Sequence, residues 1–359
     1  MSEREMWACI SGIPGMYWKK IQRQIDAFGN IGDWLGANKK ILMQKGGLDE
    51  EEAERIVKHR NCFNPEKFFE KLEKEEIKFV SVSEKEFPKR LLPYKHKPYY
   101  LFYKGNLPDE KVPCVAMVGA RVCSNYGRIV AKGIAKELSE KGIQIISGMA
   151  RGIDTYSQLG ACEGNAETFA VLGCGVDICY PTENIELYEQ ILKKGGIMSE
   201  YLPGTAPLSW HFPQRNRLIS GLADKIVVVE AKENSGSLIT VEWALEQGKD
   251  VMAVPGRIGE KLSQGCNQLI KSGAGIVTTT NDVLSELSYS LSNKQEIEKI
   301  LEKDFLLLYS ELGFQPKNIY ELVDNTGIKY EKIVSMLLKL QLDGLIEQPI
   351  ENYFSRKYT

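Results

Sequence analysis

The sequence predicts an α/β protein built on a doubly wound, mostly parallel sheet, with a helical domain before it and a smaller module after it. Two observations carry this prediction. From Val115 onward, short runs that are apolar throughout alternate with stretches of helical period, and glycine-rich turns punctuate the alternation. Strands apolar on both faces belong to a parallel sheet covered by helices on both sides. At 359 residues the chain is also too long for one core of ordinary size, which implies two or three domains.

Residues 1–85 show helical periodicity broken by glycines at GIPG (12–15), FGNIG (28–32) and KGG (45–47), and read as a helical domain of short hairpins. Residues 1–90 carry seventeen basic and sixteen acidic side chains, a balance that favours scaffolding over a nucleic-acid surface. The segment SEKEFPKRLLPYKHKPYYLFYKGN lacks a helix period and reads as an irregular connection ending in a strand at YLFYKG. Within 86–290, CVAMVGA, IQIISGMA, TFAVLGCG, IMSEY, KIVVVEA, DVMAVPG and GIVTTT read as strands. NYGRIVAKGIAKELSEKG, IDTYSQLGACEG, NIELYEQILKKG and SLITVEWALEQG read as helices, and HFPQRNRLISGL as a loop. After the polar SYSLSNKQEIEK, residues 300–359 show three short helices and an apolar-turn-aromatic hairpin, the pattern of a winged-helix-like domain. Residues 301–359 carry seven Lys or Arg against nine Asp or Glu, so a protein contact weighs at least as much as DNA binding for this module.

A net charge of -2 without basic or acidic blocks excludes a uniformly basic binder, so any nucleic-acid surface must be local. The N-terminus lacks the apolar run of a signal peptide and no segment reads as a membrane span, which predicts a cytoplasmic protein. Eight cysteines without a CxxC pair and three histidines far apart read as buried thiols, with no metal site expected.

In an open α/β sheet, ligands bind beyond the carboxyl ends of the strands, where helix N-termini offer unpaired N–H groups. All six arginines between Lys111 and Ser290 (Arg121, Arg128, Arg151, Arg215, Arg217 and Arg257) fall in or beside the predicted loops there. Arginine's planar fork matches phosphate oxygens in pairs and stacks on bases. The candidate binding residues are Gly119, Arg121, Arg128, Gly148, Arg151, Phe212, Arg215, Asn216, Arg217, Ser235, Ser237 and Lys271. The first turn, GARVCSNYG, is not GxGxxG and no GxxxxGK[ST] occurs, so neither a dinucleotide cofactor nor a P-loop ATPase is expected. The catalytic inventory is thin, with His211 the only histidine after Val115, and no catalytic residue is assigned. A polymer of phosphates uses such loops without demanding chemistry. Phe212 then reads as a stacking platform in a basic groove, or equally as an aromatic closing the core.

GAR (119–121), SGMARGID (147–154), LGCGVDICYP (172–181), FPQRNRLISGL (212–222), SGSLITVEWALEQGKDVMAVPG (235–256) and GCNQLIKSGA (265–274) together resemble the DprA/Smf family of DNA-processing proteins. The resemblance implies an extended Rossmann-like sheet domain, an N-terminal module of sterile-alpha-motif or helix-hairpin-helix type and a winged-helix end. It implies a homodimer, formed through the sheet domain, that binds single-stranded DNA during natural transformation, protects it and loads the RecA recombinase, without catalysing a reaction. Carried over by motif, Arg121 and Arg151 hold phosphates, Gly119 and Gly148 admit the strand, and FPQRNR supplies Phe212, Arg215 and Arg217. Ala120 departs from the Ser or Thr more usual before the arginine. For Arg151 two arrangements stand open: its fork at a phosphate with Asp154 capping the next helix, or an Arg151–Asp154 pair locking the loop. SGSLITVE (235–242) is also similar to the PGGxGTxxE signature of nucleotide phosphoribohydrolases, which makes an enzyme using Glu242 the alternative.

Overall fold

The computed structural model describes residues 1–287, 303–313 and 316–356. The chain divides into two compact units, Met1–Ser285 and Glu286–Thr359. The expected linker at 288–299, and the edges placed at 290 and 300, lie outside the described residues.

The first unit opens with six helices: α1 (Glu3–Ser11), α2 (Trp18–Phe28), α3 (Ile31–Gly36), α4 (Lys39–Gln44), α5 (Glu50–Cys62) and α6 (Pro65–Lys74). Side-chain caps define most of their starts, with Ser2 and Glu5, then Asp49 and Glu52, forming capping boxes that satisfy otherwise orphaned amides. The sheet follows, as β1 (Lys78–Ser81), β2 (Tyr100–Gly105), β3 (Cys114–Val118), β4 (Gln144–Ser147), β5 (Thr168–Val171), β6 (Gly196–Ser199), β7 (Lys225–Val228), β8 (Asp250–Ala253) and β9 (Gly275–Ile276). Between strands run α7 (Asn125–Glu140), α8 (Ile153–Glu163), α9 (Ile185–Lys194), α10 (His211–Leu222), α11 (Leu238–Glu246) and α12 (Gln264–Lys271).

The strand order is β1-β2-β6-β5-β4-β3-β7-β8-β9, with β6 through β9 parallel and β1 and β2 antiparallel at one edge. This is the predicted large, mostly parallel sheet. Successive residues of β5 serve opposite faces. Phe169 and Val171 join a core with Leu218, Val241 and Cys266 of α10, α11 and α12, whereas Ala170 joins one with Leu187 of α9 and the N-terminal helices. That second core binds the helical segment to the sheet, and Trp7 stacks on Tyr99 with ring centroids 4.8 Å apart.

Two readings are corrected here. Lys78–Ser81, expected within the helical domain, is an edge strand paired with β2. HFPQRNRLISGL, expected as a loop, is helix α10. Pro213 falls in its first turn, where a missing N–H costs no hydrogen bond, and Leu218, Ile219 and Leu222 bury its inner face.

In the second unit, helices at Lys303–Glu311, Ile319–Thr326 and Tyr330–Leu342 precede the hairpin of β11 (Ile346–Ile350) and β12 (Tyr353–Arg356), which β10 (Lys317–Asn318) extends to three strands. Leu308, Leu322, Ile333, Leu337 and Phe354 form its core. Among the described residues no helix is long and apolar enough to cross a membrane, and no cluster of His, Cys, Asp or Glu is placed to hold a metal.

Candidate nucleic-acid interface

The chain winds from β3 through β4 and β5 to β6 on one side, then returns to β7 on the other side of β3 and continues to β9. The carboxyl ends of β3 and β7 therefore flank the topological switch point, where neighbouring loops diverge and leave a crevice. A cleft of about 420 Å³ lies there, lined among others by Arg121, Asp154, Arg215, Asn216, Lys232, Ser235 and Ser237. Three cations against one carboxylate make it electropositive.

The protein itself fills one anion position. Ser124 caps α7, and its amide donates 2.9 Å to the buried Glu230 carboxylate, which also receives the Ser124 hydroxyl. A Cβ on Gly127 would fall 2.3 Å from Glu230 Oε2, so glycine lets this carboxylate sit against the helix N-terminus. In a dinucleotide site a pyrophosphate takes that place. The open cleft is instead displaced toward β7 and α10.

Arg215 is the buried centre of the cleft, 3% exposed. Its Nη1 donates to the carbonyls of Gly148 (2.9 Å) and Val171, and its Nε donates to Asn216 Oδ1 at 3.2 Å. Burial pushes its pKa down to about 10, opposed by the Asp154 carboxylate, so it remains protonated at neutral pH. Burial raises the pKa of Asp154; Arg215 and hydrogen bonds from the Ala150 and Gly148 amides oppose the rise. Its carboxylate accepts from those amides at 3.4 and 3.2 Å and thereby shapes the loop after β4.

Asp154 neither caps α8 nor pairs with Arg151. Asp154 serves the loop amides beside Arg215, and Arg151 reaches outward to Glu183, both partners about half exposed. An exposed pair of this kind contributes little to stability. The glycines also act differently from the expectation that Gly119 and Gly148 admit a strand. A Cβ on Gly148 would lie 2.3 Å from Arg215 Nη2, and one on Gly119 would lie 2.6 Å from Ile153 Cγ1. They admit the protein's own side chains. Gly152, with φ 77°, lets the loop turn where a Cβ would strike the Ala120 carbonyl at 2.2 Å.

Phe212 is half-buried, with the exposed Arg121 guanidinium 5.3 Å from its ring centroid and the Tyr180 ring 5.4 Å away. Arg151 and Pro181 complete this shallow recess. Next to it, Arg121, Arg128, Arg151 and Tyr156 line an open groove in which the Arg128 guanidinium sits 5.3 Å from the Tyr156 ring centroid.

The structure thus brings together Arg121, Arg128, Arg151, Phe212, Arg215, Asn216, Ser235 and Ser237 along one edge. Two candidates do not join them. Arg217 has no exposed surface; its Nη1 pairs with Glu200 at 2.5 Å and its guanidinium packs 5.3 Å from the Trp18 ring centroid, on the other face of α10. Lys271 ends α12, a crossover helix that carries the chain back to the start of β9, so it lies at the amino edge of the sheet. Lys232, Asp154, Tyr156 and Tyr180 are cleft and groove residues missing from the candidate set. Lys232 was detectable, since it follows KIVVVEA at a strand's carboxyl end. Glu242 is exposed on α11 and lines none of these recesses, which leaves the ribohydrolase reading without its glutamate in the cleft.

Fold and cleft together define a doubly wound α/β protein whose switch point is cationic and edged with aromatic rings. Residues 78–288 match the family model of DNA recombination-mediator protein A. The chain is 44% identical over 240 residues to DNA processing protein DprA of Streptococcus pneumoniae, covering 64% of this chain and 84% of that protein. It is 31% identical to protein Smf of Escherichia coli over 96% of this chain and 94% of the relative. The crystal structure of the S. pneumoniae DprA superposes with a TM-score of 0.68 at 34% identity, over 80% of this chain and 98% of that one. A Helicobacter pylori DprA, described for its single-stranded DNA binding mode, superposes with a TM-score of 0.53 at 28% identity, over 59% of this chain and 97% of that one. The chain belongs to the DprA/Smf family of DNA-processing recombination mediators.

Proposed function

We propose that this protein binds single-stranded DNA at the carboxyl edge of its sheet, shields it, and delivers it to a RecA-type recombinase in the cytoplasm during natural transformation. The observation that carries the reading is the gathering of Arg121, Arg128, Arg151 and Lys232 around the Phe212–Tyr180 pair. Cations spaced along a groove hold phosphates without reading sequence, and an aromatic step among them accepts any base. Arg215 and Asp154 set the shape of the cleft and add a buried positive charge behind it. The single-strand binding named for the H. pylori relative supports the same assignment.

The reading extends to the assembly. The sheet domain, taken as 86–290, forms a homodimer; residues 1–85 act as a scaffold of sterile-alpha-motif or helix-hairpin-helix type. Residues 300–359 form a winged-helix-like module for a protein or second DNA contact. Binding, with no cofactor and no bond made or broken, is the activity.

The test is an anisotropy titration of labelled oligo-dT against a duplex of equal length. Wild type binds the single strand more tightly, and Phe212→Ala weakens that binding by about 5- to 100-fold, the range for one lost base–aromatic stack. Equal affinity for both forms, or no effect of Phe212→Ala, overturns the assignment. Sedimentation of the protein alone, and RecA filament formation with and without it, test the dimer and the loading step.

A further inference from the structure

A second cleft, of about 500 Å³, opens where the GIPG turn and the start of α2 meet the segment after β6. It lies across α10 from the strand cleft: Trp210 and Gln214 line it, whereas Arg215, Asn216 and Ile219, on the opposite side of the helical wheel, line the other. Tyr17, Trp18, Tyr100, Tyr201 and Trp210 wall it with rings. Tyr17 and Trp210 meet edge to face at 4.8 Å and stay 41% and 44% exposed at its mouth. Large aromatic rings left in water around a concave, mostly apolar site are placed to cover a ligand.

Two polar groups give this cleft a chemical preference. Glu200 pairs with Arg217 through Oε2, and its Oε1 accepts no hydrogen bond among the described residues. Gln214 Oε1 accepts the Trp18 indole N–H at 2.9 Å. Because indole only donates, the Gln214 amide is oriented by that bond, leaving its NH₂ as a donor. The cleft therefore offers one acceptor and one donor between aromatic walls. Arg217 already neutralises Glu200, and Lys19 is exposed at the rim with its Nζ 5.4 Å from the Trp18 ring centroid, so an organic cation is a poor match.

We propose that this cleft binds a nucleobase, whose edge carries an N–H donor beside an acceptor, with the ring against Tyr17 and Trp210 and its phosphate at Lys19. The N–H donates to Glu200 and the neighbouring carbonyl or ring nitrogen accepts from Gln214. The source is either a free nucleoside monophosphate or a base of a DNA strand, and because α10 borders both clefts, an occupant here bears on the helix that carries Phe212 and Arg215. The inference does not depend on the strand cleft, whose oligonucleotide binding is read separately through Arg121 and Phe212.

The experiment uses the full chain. Tryptophan fluorescence is titrated with dGMP, dTMP, dAMP, dCMP and deoxyribose 5-phosphate, and 4-thiothymidine is photo-crosslinked both as the free monophosphate and within an oligonucleotide. Saturable quenching by the nucleotides at least about tenfold tighter than by deoxyribose 5-phosphate is expected, weakened about tenfold or more by Trp210→Ala. Gln214→Glu keeps the bond from Trp18 but replaces the donor with an acceptor, and weakens nucleotide binding. Crosslinks at residues 17 to 20 or 201 to 210 from the free nucleotide identify a soluble ligand, and from the oligonucleotide alone a strand base; either supports the site. Absence of saturable quenching, binding of deoxyribose 5-phosphate as tight as that of the nucleotides, or a response to choline instead overturns it.

Discussion

Replacing Gly148 by alanine adds one methyl group beside the guanidinium at the centre of the cleft. Its Cβ would stand 2.3 Å from Arg215 Nη2 and 2.6 Å from Cζ, so one of the two must move. The far end of an arginine ordinarily swings aside at little cost. Here it is buried, and three oxygens, of Gly148, Val171 and Asn216, hold it in place. Displacement breaks charge-assisted hydrogen bonds worth about 1.5–3 kcal/mol each and weakens the attraction of Asp154, so the loss of two such bonds gives an expected destabilisation of about 3–6 kcal/mol. The control is Gly133→Ala within α7, where nothing lies within 4 Å of the new Cβ. That change should stabilise by about 0.5–1 kcal/mol through helix propensity. Urea unfolding followed by circular dichroism measures both, and oligo-dT retardation reports the cleft. If Gly148→Ala stays within about 1 kcal/mol of wild type and binds DNA normally, Arg215 is not the fixed centre described here.

Other expectations follow from the buried charges. Arg217→Met strands the Glu200 carboxylate and should destabilise the fold by about 3–5 kcal/mol, while the salt dependence of oligo-dT binding stays at the wild-type slope; a reduced slope would place Arg217 among the phosphate contacts. His96, enclosed by Tyr94, Trp18 and Trp243 and bonded to Gln247, has its pKa pushed down to about 4 by burial and by Arg217. It is therefore neutral at pH 7, and the 3.8 Å approach of its Nδ1 to Glu246 is not then an ion pair. Since the unfolded chain takes up the proton near pH 6.5, the stabilising contribution is complete above that value and is lost as pH falls toward about 4, by at most about 1.4 kcal/mol per unit. His96→Phe should lose less stability than wild type between about pH 7 and pH 5 in urea titrations; parallel losses would exclude His96 as the source.

The sheet was legible because its strands are buried on both faces, so CVAMV and KIVV carry no polar residue except the buried Lys225, which pairs with Asp250. Helix α10 was not. Arg215 and Arg217 occupy positions that its buried faces require, and charged residues there mask the period that reveals a helix. Their partners are distant in sequence: Arg217 contacts Glu200 and Trp18, and Arg215 meets the carbonyls of Gly148 and Val171. An arginine count at one edge is visible in a sequence, but which arginines face inward depends on those contacts. Lys271 shows a different limit. Its motif adjoins the β8 loop, yet the helix between them carries it to the far edge.

Exposed cations at the carboxyl edge are proposed to hold the phosphates of a single strand. The direct measurement is the slope of log affinity against log salt for oligo-dT, taken from about 50 to 200 mM. Four contacts, from Arg121, Arg128, Arg151 and Lys232, predict a slope of about -3, at about 0.7 per phosphate on single strands. Replacing both Arg121 and Arg151 by alanine should bring it to about -1.4. Binding that is indifferent to salt, or a double variant that keeps the wild-type slope, contradicts the account.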